Sequence, residues 1–356
     1  MARQVTLQPG GKTFEVHEGE SILDAALRHG VTLPYGCRTG TCGTCQCQLV
    51  TGEVEYPAGP PLALTDTDVT QGKILPCVGF AREDLVLNAQ ELSNAGDLII
   101  RTLPTRVAKI EKLCHDVVAL YLKLPAVERL QFLAGQYVDI LLNDGARRSF
   151  SIANAPHEDE FLELHIRHVP GGKFTSRVFD ALKEKALLRI QGPLGTFYLR
   201  EHSDHPIILM GGGTGFAPLK GIVSHALEIG VQRQIHLYWG VRSKRDLYMP
   251  EVPQAWEKQH SLFRFTPVLS EAHEADQWSG TLGWVHEAVL ADYPDLSDYD
   301  VYMSGPPPMI TAAKPAFRQA GLPEDHMYYD SFDYAAEVQA RINSAEQTAR
   351  KSDELA

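Results

Sequence analysis

The chain has 356 residues, of which 44% are hydrophobic and 22% are charged, and its formal net charge at pH 7 is −12. This length suits two or three domains, and the composition is that of an ordinary globular protein, which excludes general disorder. The acidic balance argues against a nucleic-acid partner, because such a partner favours a basic protein face, and it suits docking onto a basic protein surface.

The N-terminal segment has no apolar signal-peptide core, and no apolar run approaches the roughly 18 residues that span a bilayer. We therefore expect no membrane partner and a cytoplasmic location. In that reducing compartment the six cysteines are poor candidates for disulfides. Metal binding becomes the leading interpretation of the cysteines.

Residues 1–92 predict a compact α+β domain. Two stretches of alternating apolar and polar residues predict strands around a turn at Pro9. A helix with apolar residues at helical spacing follows, with Ser21 as its N-cap and Gly30 as its stop. A cysteine-rich loop and further strands complete the domain.

The rest of the chain predicts two more domains of different architecture. Residues 93–101 are predicted to be a linker. Many short strands with frequent turns over 102–202 predict an antiparallel β-barrel, interrupted by one helix over 174–185. Buried strands alternating with helices over 203–335 predict a parallel α/β sheet. The polar segment 336–356 predicts a surface helix or a frayed tail.

Four cysteines of the first domain follow the spacing Cys37-x4-Cys42-x2-Cys45, with Cys77 thirty-two positions after Cys45. This is the ligand spacing of plant-type 2Fe–2S clusters. Small glycines and threonines separate the first three cysteines, so backbone amides can approach the sulfurs and tune their potential by hydrogen bonding. A structural zinc site stays open as an alternative, although four-cysteine zinc sites usually contain two short cysteine pairs and only one is present here.

The other cysteines and the histidines give no comparable signal. Cys47 follows on a predicted strand, and Cys114 is assigned to an apolar strand of the second domain. Both are interpreted as small buried hydrophobic residues. The pair His165-x-x-His168 is not a metal-binding motif, nor is any other histidine grouping, so the histidines are interpreted as surface or packing residues.

The segment "PYGCRTGTCGTCQCQL" resembles the cluster loop of plant-type ferredoxin domains. Its continuation resembles the NADH-dependent reductase components of bacterial oxygenase systems, within the ferredoxin–NADP reductase superfamily. The resemblance extends in order over nearly the whole chain, and it is equally close to the CDP-6-deoxy-delta-3,4-glucoseen reductases of deoxysugar synthesis. It implies a β-grasp ferredoxin domain, an antiparallel β-barrel that binds FAD and an α/β domain that binds NAD.

The segment "RRSFSIAN" resembles the R-x-Y-S pattern that holds the flavin in this superfamily. The resemblance implies that Arg148 binds the flavin pyrophosphate, that Phe150 stacks on the flavin ring and that Ser151 lies near its reactive N5. Ser149, between Arg148 and Phe150, is assigned to cofactor binding with them. Phe150 replaces the usual tyrosine, so one hydroxyl contact should be missing. An ordinary strand is the alternative interpretation of so short a pattern.

A second phosphate-binding element is predicted at Gly171 and Gly172. They precede a helix whose first turn contains Lys173, Thr175 and Ser176. Free amides and the helix dipole make such an N-terminus an anion site, and the resemblance assigns it to the flavin pyrophosphate. A simple turn with Thr175 as N-cap is the alternative. Two phosphate-binding elements favour FAD over FMN.

The third domain contains a glycine-rich turn between a buried strand and a helix. Such a turn lets the backbone and the helix N-terminus approach a pyrophosphate, and "GGGTGFAP" resembles the GGGTG-x-AP motif of ferredoxin reductases. The residues assigned to nucleotide binding here are Gly212, Gly213, Thr214 and Gly215.

The segment "MSGPPPM" resembles the C-G-P-x-P-M motif that borders the nicotinamide in the same family. Ser304 takes the place of the cysteine and is assigned, with Ser151, to the catalytic site, while Gly305 and Pro306 are assigned to cofactor binding. Relatives often place an aromatic residue near the flavin at their C-terminus. Phe332 is the candidate for that position.

The nucleotide preference depends on two loops. NADPH-dependent members commonly place a Ser-Arg pair after the third strand of this domain, but here the pair is Ser270 and Glu271. A carboxylate repels a 2′-phosphate and can accept hydrogen bonds from a ribose diol, which favours NADH. Against this stand Arg242, Lys244 and Arg245, which could bind a phosphate and leave NADPH open as the alternative.

The three predicted sites imply an iron–sulfur flavoprotein reductase. NADH supplies two electrons, FAD accepts both, and the 2Fe–2S cluster passes them singly to a partner protein. The leading expectation for the partner is a terminal oxygenase of the Rieske, di-iron or P450 type. A deoxysugar dehydratase is the alternative, and a redox-sensing protein that binds the cofactors without turnover is the non-enzymatic one.

Overall fold

In the computed structural model of the protein, residues 2–29, 31, 33–35, 38–91, 98–125, 130–158 and 160–332 are described. They form three larger sheets, one in each predicted domain, and a two-stranded ribbon. The predicted multidomain fold class is therefore confirmed. The domain boundaries stay predictions, since residues 93–97 of the predicted linker and all of the predicted tail 336–356 lie outside the described residues.

The first domain is built on a mixed sheet. Its described strands are β1 (Arg3–Gln8), β2 (Thr13–Val16), β3 (Cys47–Thr51), β4 (Val54–Glu55), β5 (Lys73–Ile74), β6 (Phe80–Ala81) and β7 (Leu85–Asn88). Five of them lie in the order β2-β1-β7-β3-β5, with β1 and β7 parallel, and β4 pairs separately with β6. This sheet, crossed by one helix, is the predicted β-grasp arrangement.

The helix α1 (Ile22–Arg28) begins where the sequence predicts. The backbone N–H of Asp24 donates to Ser21 Oγ at 3.0 Å, which satisfies one of the amides left free at a helix N-terminus. Ile22 and Leu23 are fully buried against the sheet. Gly30, the predicted stop, lies outside the described residues.

A second short helix, α2 (Asp66–Thr70), was not predicted. Thr65 and Asp68 form a capping box, in which each side chain bonds the backbone N–H of the other residue. The helix buries no residue of its own. It therefore depends on its cap rather than on an apolar face, and an apolar-periodicity argument does not detect it.

The second domain is an antiparallel barrel of six strands and one helix. Its elements are β8 (Arg101–Lys112), β9 (Val117–Lys123), β10 (Tyr137–Leu141), β11 (Arg147–Ser151), β12 (Leu162–Arg167), α3 (Lys173–Asp180) and β13 (Leu187–Leu194). The strand order is β11-β10-β13-β8-β9-β12, and an isolated bridge between Ile152 and Leu164 joins the two edges. The barrel is thus closed beside the predicted flavin strand, β11.

The structure corrects the placement of Cys114. This residue does not lie in a strand but in the tight turn between β8 and β9, where Leu113 N–H donates to the carbonyl of Val117 at 2.9 Å. Cys114 is only partly buried. Its apolar neighbours belong to the two strand ends that the turn connects, and this explains the wrong assignment.

The third domain is a parallel sheet with helices on it. Its elements are β14 (Ile207–Gly212), α4 (Phe216–Glu228), β15 (Ile235–Val241), α5 (Glu251–Gln259), β16 (Phe263–Leu269), β17 (Thr281–Leu282), α6 (Val285–Asp292), β18 (Asp300–Gly305), α7 (Pro307–Gln319) and β19 (Met327–Ser331). The order is β17-β16-β15-β14-β18-β19, all parallel. From β14 the strand order runs to one edge of the sheet, and from β18 it runs to the other edge. The crevice between β14 and β18 is therefore the topological switch point, where parallel sheets bind ligands.

The first two domains contact each other at the entry to the cysteine loop. The Thr196 hydroxyl donates to the carbonyl of Tyr35 at 2.9 Å and accepts from the Tyr35 N–H at 3.2 Å. Tyr137 and Leu194 of the barrel belong to the hydrophobic core of the first domain. The two domains therefore share buried apolar surface. Among the described residues, no helix has both the length and the apolar character needed to cross a membrane.

Candidate cluster, flavin and nucleotide sites

Three of the four predicted cluster ligands lie in the described part of the chain. Cys42 and Cys45 lie in the loop between α1 and β3, and Cys77 lies in the turn after β5. Cys45 and Cys77 are buried in the core of the first domain, and Cys42 is half-buried. Cys37 lies outside the described residues.

Two of the predicted ligands from separate segments, Cys45 and Cys77, act electrostatically on the same side chain, Tyr56. Burial raises the pKa of the Tyr56 phenol, and its electrostatic contact with Cys45, Cys47 and Cys77 raises it further. The Leu75 N–H donates to the phenol oxygen at 3.1 Å and fixes its position. Thiols from two separate pieces of chain are thus brought together, as a cluster with four cysteine ligands requires.

The backbone of the cysteine loop is wound into left-handed conformations at Arg38 (φ 59°), Gly40 (φ 79°) and Gly43 (φ 73°). A Cβ on Gly40 would lie 2.9 Å from Pro61 Cβ, so this position also lacks room for a side chain. Such turns can direct successive amides to one side of the loop, where they can donate to sulfur. The thiols and the loop conformation fit a 2Fe–2S cluster.

Cys47 differs from its neighbours although it lies close to them. It is the first residue of β3 and pairs with Ile74 across the sheet. Burial raises the pKa of the Cys47 thiol to about 12, so this thiol stays protonated at neutral pH. Its packing against the core of the first domain matches the interpretation of Cys47 as a small hydrophobic residue.

The cysteine loop docks on the strand that precedes the predicted flavin motif. Arg38 lies 4.0 Å from Asp139 on β10, and Asp139 accepts from the Ser149 hydroxyl at 2.7 Å. Asp139 is almost fully buried. One carboxylate therefore links the residue after Cys37 to the flavin strand β11, and no motif in the sequence indicated it.

The predicted flavin residues occupy β11 in the order that the motif requires. Arg148 and Phe150 share one face of the strand because side chains alternate along it. The Phe150 ring lies 5.6 Å, centroid to centroid, from Phe174 in the first turn of α3. The two predicted halves of the flavin site, β11 and the N-terminus of α3, are therefore in contact.

The N-terminus of α3 is open to an anion. Its N-cap is Gly172, which offers no side-chain cap, and Gly171 before it has φ 81°. Thr175 is not the N-cap: its hydroxyl donates to the carbonyl of Val169 at 3.2 Å and so holds the turn closed. The amides of the first turn, from Lys173 on, have no acceptor within the helix. This arrangement fits a pyrophosphate.

The glycine-rich turn and the MSGPPPM segment meet at the carboxyl ends of β14 and β18. A Cβ on Gly215 would lie 1.9 Å from the carbonyl oxygen of Ser304, and Gly305 has φ 146° and lies directly against Gly212. No side chain fits between these two loops. The result is a cradle formed by main chain at the point where parallel sheets bind ligands.

Ser304 is fully buried, and its hydroxyl has no hydrogen-bond partner among the described residues. A buried polar atom of this kind usually has a partner, so the orphaned hydroxyl fits a site that a nicotinamide would complete. Ser304 pairs with Asp330 across β18 and β19, and the Ser151 hydroxyl donates to Asp330 Oδ2 at 3.3 Å. The N–H of Phe332 donates to the carbonyl of Gly305 at 2.9 Å. The two predicted catalytic serines and Phe332 are therefore brought to one place.

The sequence analysis did not predict a role for two residues of this region, Asp330 and Arg167. Asp330 links the barrel to the nucleotide domain, and its only signal is a carboxylate two positions before Phe332. Arg167 lies at the end of β12, with its Nη1 2.8 Å from the position of a Cβ on Gly213. Its Nη2 is buried and has no hydrogen-bond partner in the residues that the structure describes. A guanidinium in that position suits a phosphate beside the glycine-rich turn.

Buried charges connect the barrel to the nucleotide domain. Glu163 accepts from Lys220 at 2.9 Å and contacts His165 Nε2 at 2.8 Å, and His165 Nδ1 lies 3.0 Å from the Tyr248 hydroxyl. Burial alone would raise the pKa of Glu163, but its bonds to His165 and Lys220 hold it at about 2. His165 thus joins the domains, which agrees with its interpretation as a packing residue.

The two loops that bear on nucleotide preference are neighbours. The Glu271 N–H donates to the carbonyl of Arg242 at 2.8 Å, and both side chains are exposed. Lys244 Nζ donates to the carbonyl of Asp276 at 3.3 Å. The carboxylate that favours NADH and the cation that favours NADPH therefore lie side by side on the loops that follow β15 and β16.

Three family models match the chain in order. The 2Fe-2S iron-sulfur cluster binding domain matches residues 5–82, the oxidoreductase FAD-binding domain residues 104–198 and the oxidoreductase NAD-binding domain residues 209–315. The matches fall on the three sheets described above. Binding domains for a 2Fe–2S cluster, FAD and NAD(H) are thus shown.

Characterised relatives match over nearly their full length. The chain is 40% identical over 332 residues to CDP-6-deoxy-L-threo-D-glycero-4-hexulose-3-dehydrase reductase of Yersinia pestis, covering 93% of this chain and 99% of that protein. It is 34% identical to the reductase component DmpP of phenol 2-monooxygenase from a Pseudomonas species, covering 95% and 96%. The crystal structure of Amycolatopsis cytochrome P450 reductase GcoB has a TM-score of 0.79 and 34% identity, covering 93% and 98%.

Proposed function

Because this chain belongs to the family of oxidoreductases that join a 2Fe–2S domain to FAD- and NAD-binding domains, we propose that it transfers electrons from NADH to a terminal oxygenase of the Rieske, di-iron or P450 type. The observation that supports this most is that the cluster site contacts the flavin site and the flavin site contacts the nucleotide site. The cysteine loop docks on the flavin strand through Asp139, and that strand reaches the nucleotide cradle through Ser151 and Asp330.

When bound, the flavin supplies the step from a two-electron donor to a one-electron acceptor, which the cluster then serves. The residues of the chain position these groups. We assign the cluster to Cys37, Cys42, Cys45 and Cys77, since Cys45 and Cys77 from two separate segments lie in one core and Cys37 and Cys42 complete the spacing. Cys42 is half-buried, so this edge of the site is open to a partner protein.

The flavin and nucleotide residues are assigned by their placement. Arg148 and the N-terminus of α3 bind the flavin pyrophosphate, and Phe150 holds the ring. Ser151 and Ser304 flank the place where nicotinamide and flavin meet, with the Ser304 hydroxyl free to donate to the bound nucleotide. The main-chain cradle at Gly212, Gly213, Thr214, Gly215, Gly305 and Pro306 binds the nucleotide, with the glycines leaving room for its close approach.

The proposal predicts rapid NADH-dependent reduction of cytochrome c by the cofactor-replete protein. A separate purified oxygenase should then turn over its substrate only when this protein and NADH are both present. Coupled oxygen and substrate consumption would measure this turnover. Cofactor-replete protein that reduces neither cytochrome c nor ferricyanide would instead support the redox-sensing alternative.

A second acceptor is favoured by one observation. The 40% identity to the Yersinia dehydrase reductase exceeds the 34% identity to the phenol 2-monooxygenase component. The same electron path would then serve the removal of a hydroxyl from a nucleotide-bound hexulose. Incubation of the reduced protein with a purified dehydrase and with a purified oxygenase, side by side, distinguishes the two by which partner is reduced.

We expect NADH to be preferred because of Glu271. Its carboxylate repels a 2′-phosphate, so kcat/KM should be higher with NADH than with NADPH. Glu271→Arg should shift the ratio of the two kcat/KM values towards NADPH by about tenfold or more, which corresponds to about 1.4 kcal/mol. Glu274→Arg, an equal charge change at an exposed position three residues on, is the control and should leave the ratio unchanged. A clear NADPH preference in the unmodified protein would refute the role of Glu271.

Arg148→Ala should release the flavin during gel filtration, because the pyrophosphate loses its guanidinium partner. The flavin absorbance of the protein peak measures the loss. Arg147→Ala is the matched control, since Arg147 lies on the opposite face of β11 and contacts Gln191 at 2.6 Å. Full retention of flavin by Arg148→Ala would place the pyrophosphate elsewhere.

Three further points complete the proposal. The domain boundaries are 1–92, 102–202 and 203–335, with 93–101 as linker and 336–356 as tail, which the three matched ranges support. Phe332 is assigned to the flavin site, and the bond from its N–H to the carbonyl of Gly305 holds it next to Ser304. The protein works in the cytoplasm, where NADH is available and thiols stay reduced.

A further inference from the structure

The turn between β8 and β9 brings together three side chains that can bind a metal. Cys114, His115 and Asp116 each direct one possible ligand atom into a space in which these atoms lie within 4.8 Å of one another. The Cys114 thiol lies 3.3 Å from Asp116 Oδ1, and His115 Nε2 lies 3.7 Å from the same oxygen. Neither the cluster, the flavin nor the nucleotide site uses these residues.

A fourth side chain reaches the same place from the nucleotide domain. Asp246 is 2% exposed, and within the described part of the chain its buried Oδ1 has no hydrogen-bond partner. This oxygen lies 3.5 Å from His115 Nε2. The other oxygen, Oδ2, accepts from the N–H of Ser243 at 3.0 Å and from its hydroxyl at 3.1 Å. The carboxylate is therefore held with one oxygen bonded and the other directed at the turn.

An arginine lies behind each of the two aspartates. Arg167 Nε lies 3.2 Å from Asp116 Oδ2, and Arg242 Nε lies 3.8 Å from Asp246 Oδ2. In each case the outer oxygen faces the arginine and Oδ1 faces His115. Carboxylate ligands of metals are commonly oriented by outer partners of this kind.

Three distances between neighbouring ligand atoms are compatible with a tetrahedral site, and the two that involve the imidazole are longer than direct hydrogen bonds. Zinc bond lengths of about 2.0 to 2.3 Å place neighbouring ligand atoms roughly 3.3–3.7 Å apart. The observed 3.3, 3.5 and 3.7 Å fall in this range. A hydrogen bond from His115 to either aspartate would be shorter, near 2.9 Å.

We propose that Cys114, His115, Asp116 and Asp246 form a binding site for Zn²⁺. One sulfur, one imidazole nitrogen and two carboxylate oxygens are ligands that zinc accepts in tetrahedral sites. Binding releases the thiol proton to solvent and forms the Zn–S bond, with no change of oxidation state. The ion ties the β8–β9 turn of the barrel to the loop after β15, which also carries Arg242.

The test uses the holoprotein with its iron–sulfur cluster and flavin in place. After treatment with a mild chelator, the protein is dialysed against ZnCl₂, separated from free metal and analysed for zinc and iron. We expect one zinc ion per chain in addition to the cluster iron. X-ray absorption at the zinc edge should show one sulfur at about 2.3 Å and nitrogen or oxygen ligands at about 2.0–2.1 Å.

Cys114→Ala and His115→Gln each remove one ligand at a partly exposed position, so folding should be preserved. Each should lower the zinc affinity, measured by calorimetric titration, by roughly tenfold or more. His225→Gln is the control, because His225 also contacts a carboxylate, Glu201, at 3.0 Å, far from the turn in sequence. Its zinc affinity should equal that of the unmodified protein.

Two results would overturn the zinc site. Holoprotein that retains no zinc, or zinc affinity that is equal in the unmodified protein and both ligand variants, would show that these four side chains do not form it. A zinc-edge spectrum with four sulfur ligands would place the ion at the cluster cysteines instead. That outcome would count against the proposed function, whereas the first two would leave the function intact.

Discussion

Replacing Cys42 with serine should abolish cytochrome c reduction while NADH-dependent ferricyanide reduction stays largely intact. Cys42 is one of the two predicted ligands of the cysteine loop that the structure describes, and a hydroxyl is a poor ligand for iron that is held by thiolates. The cluster absorbance should disappear as well. Ferricyanide can take electrons from the flavin directly, so its reduction depends only on the second and third domains. Steady-state assays with both acceptors measure the separation.

Cys47→Ser is the matched control for this experiment. Cys47 lies in the same segment, but its thiol packs against the core of the first domain and stays protonated. This variant should keep the cluster spectrum and both activities. If Cys42→Ser lost both activities together with its flavin intact, the order of the carriers would be wrong.

Gly215→Ala should lower NADH-dependent reduction by at least about 10²-fold, the effect of a misplacement of about 1 Å at a reacting centre. A Cβ at this position would lie 1.9 Å from the carbonyl oxygen of Ser304, which is backbone and cannot yield as a flexible side chain does. The glycine-rich turn would therefore move away from β18 and open the cradle. Flavin and cluster should be retained, and dithionite should still reduce both.

The control for this substitution is Gly10→Ala. Gly10 lies in the turn between β1 and β2, where a Cβ meets nothing within 4 Å and φ is not left-handed. It should have ordinary NADH kinetics. A Gly215→Ala protein with ordinary kinetics would show that the two loops need not meet for nucleotide binding, whereas loss of the flavin would point to misfolding of the domain.

The cluster, flavin and nucleotide motifs could be predicted from the sequence because each is local. The gaps between Cys37, Cys42 and Cys45 reflect how one loop wraps a cluster, and the glycine-rich turn reflects how close a backbone must come to a phosphate. A glycine-rich turn is a reliable signal when it follows a strand and precedes a helix, and the sequence shows both neighbours. The barrel and the parallel sheet follow from the pattern of elements along the chain, whereas the order of the strands was not predicted.

Residues that act across domains could not be predicted in this way. Asp139, Asp330 and Arg167 are single charged residues in strands or at strand ends, and only the fold brings them to the cysteine loop, to Ser151 and to the glycine-rich turn. The helix α2 was a different case, because the spacing of Thr65 and Asp68 was available as a capping signal. Cys114 was wrongly assigned to a strand because the apolar residues on both sides of the tight turn resemble one continuous strand.

The two proposals concern different parts of one electron-transfer protein. The path from nucleotide to cluster runs through contacts between domains, at Asp139 and at Asp330. The zinc site would add a further contact between the barrel and the nucleotide domain, beside the buried charges of Glu163 and Lys220. The electron path and the zinc site both depend on how the sheets of different domains are placed relative to each other. Substitutions at these contacts therefore test the placement of the domains.

The account rests on a 2Fe–2S cluster that is reduced by NADH. The most direct measurement is iron and acid-labile sulfide analysis of anaerobically purified protein, together with electron paramagnetic resonance before and after NADH is added. We predict equal amounts of iron and sulfide, two of each per chain, and a signal of the reduced cluster that appears only after NADH. Protein without iron and sulfide, or a cluster that dithionite reduces and NADH does not, would contradict the account.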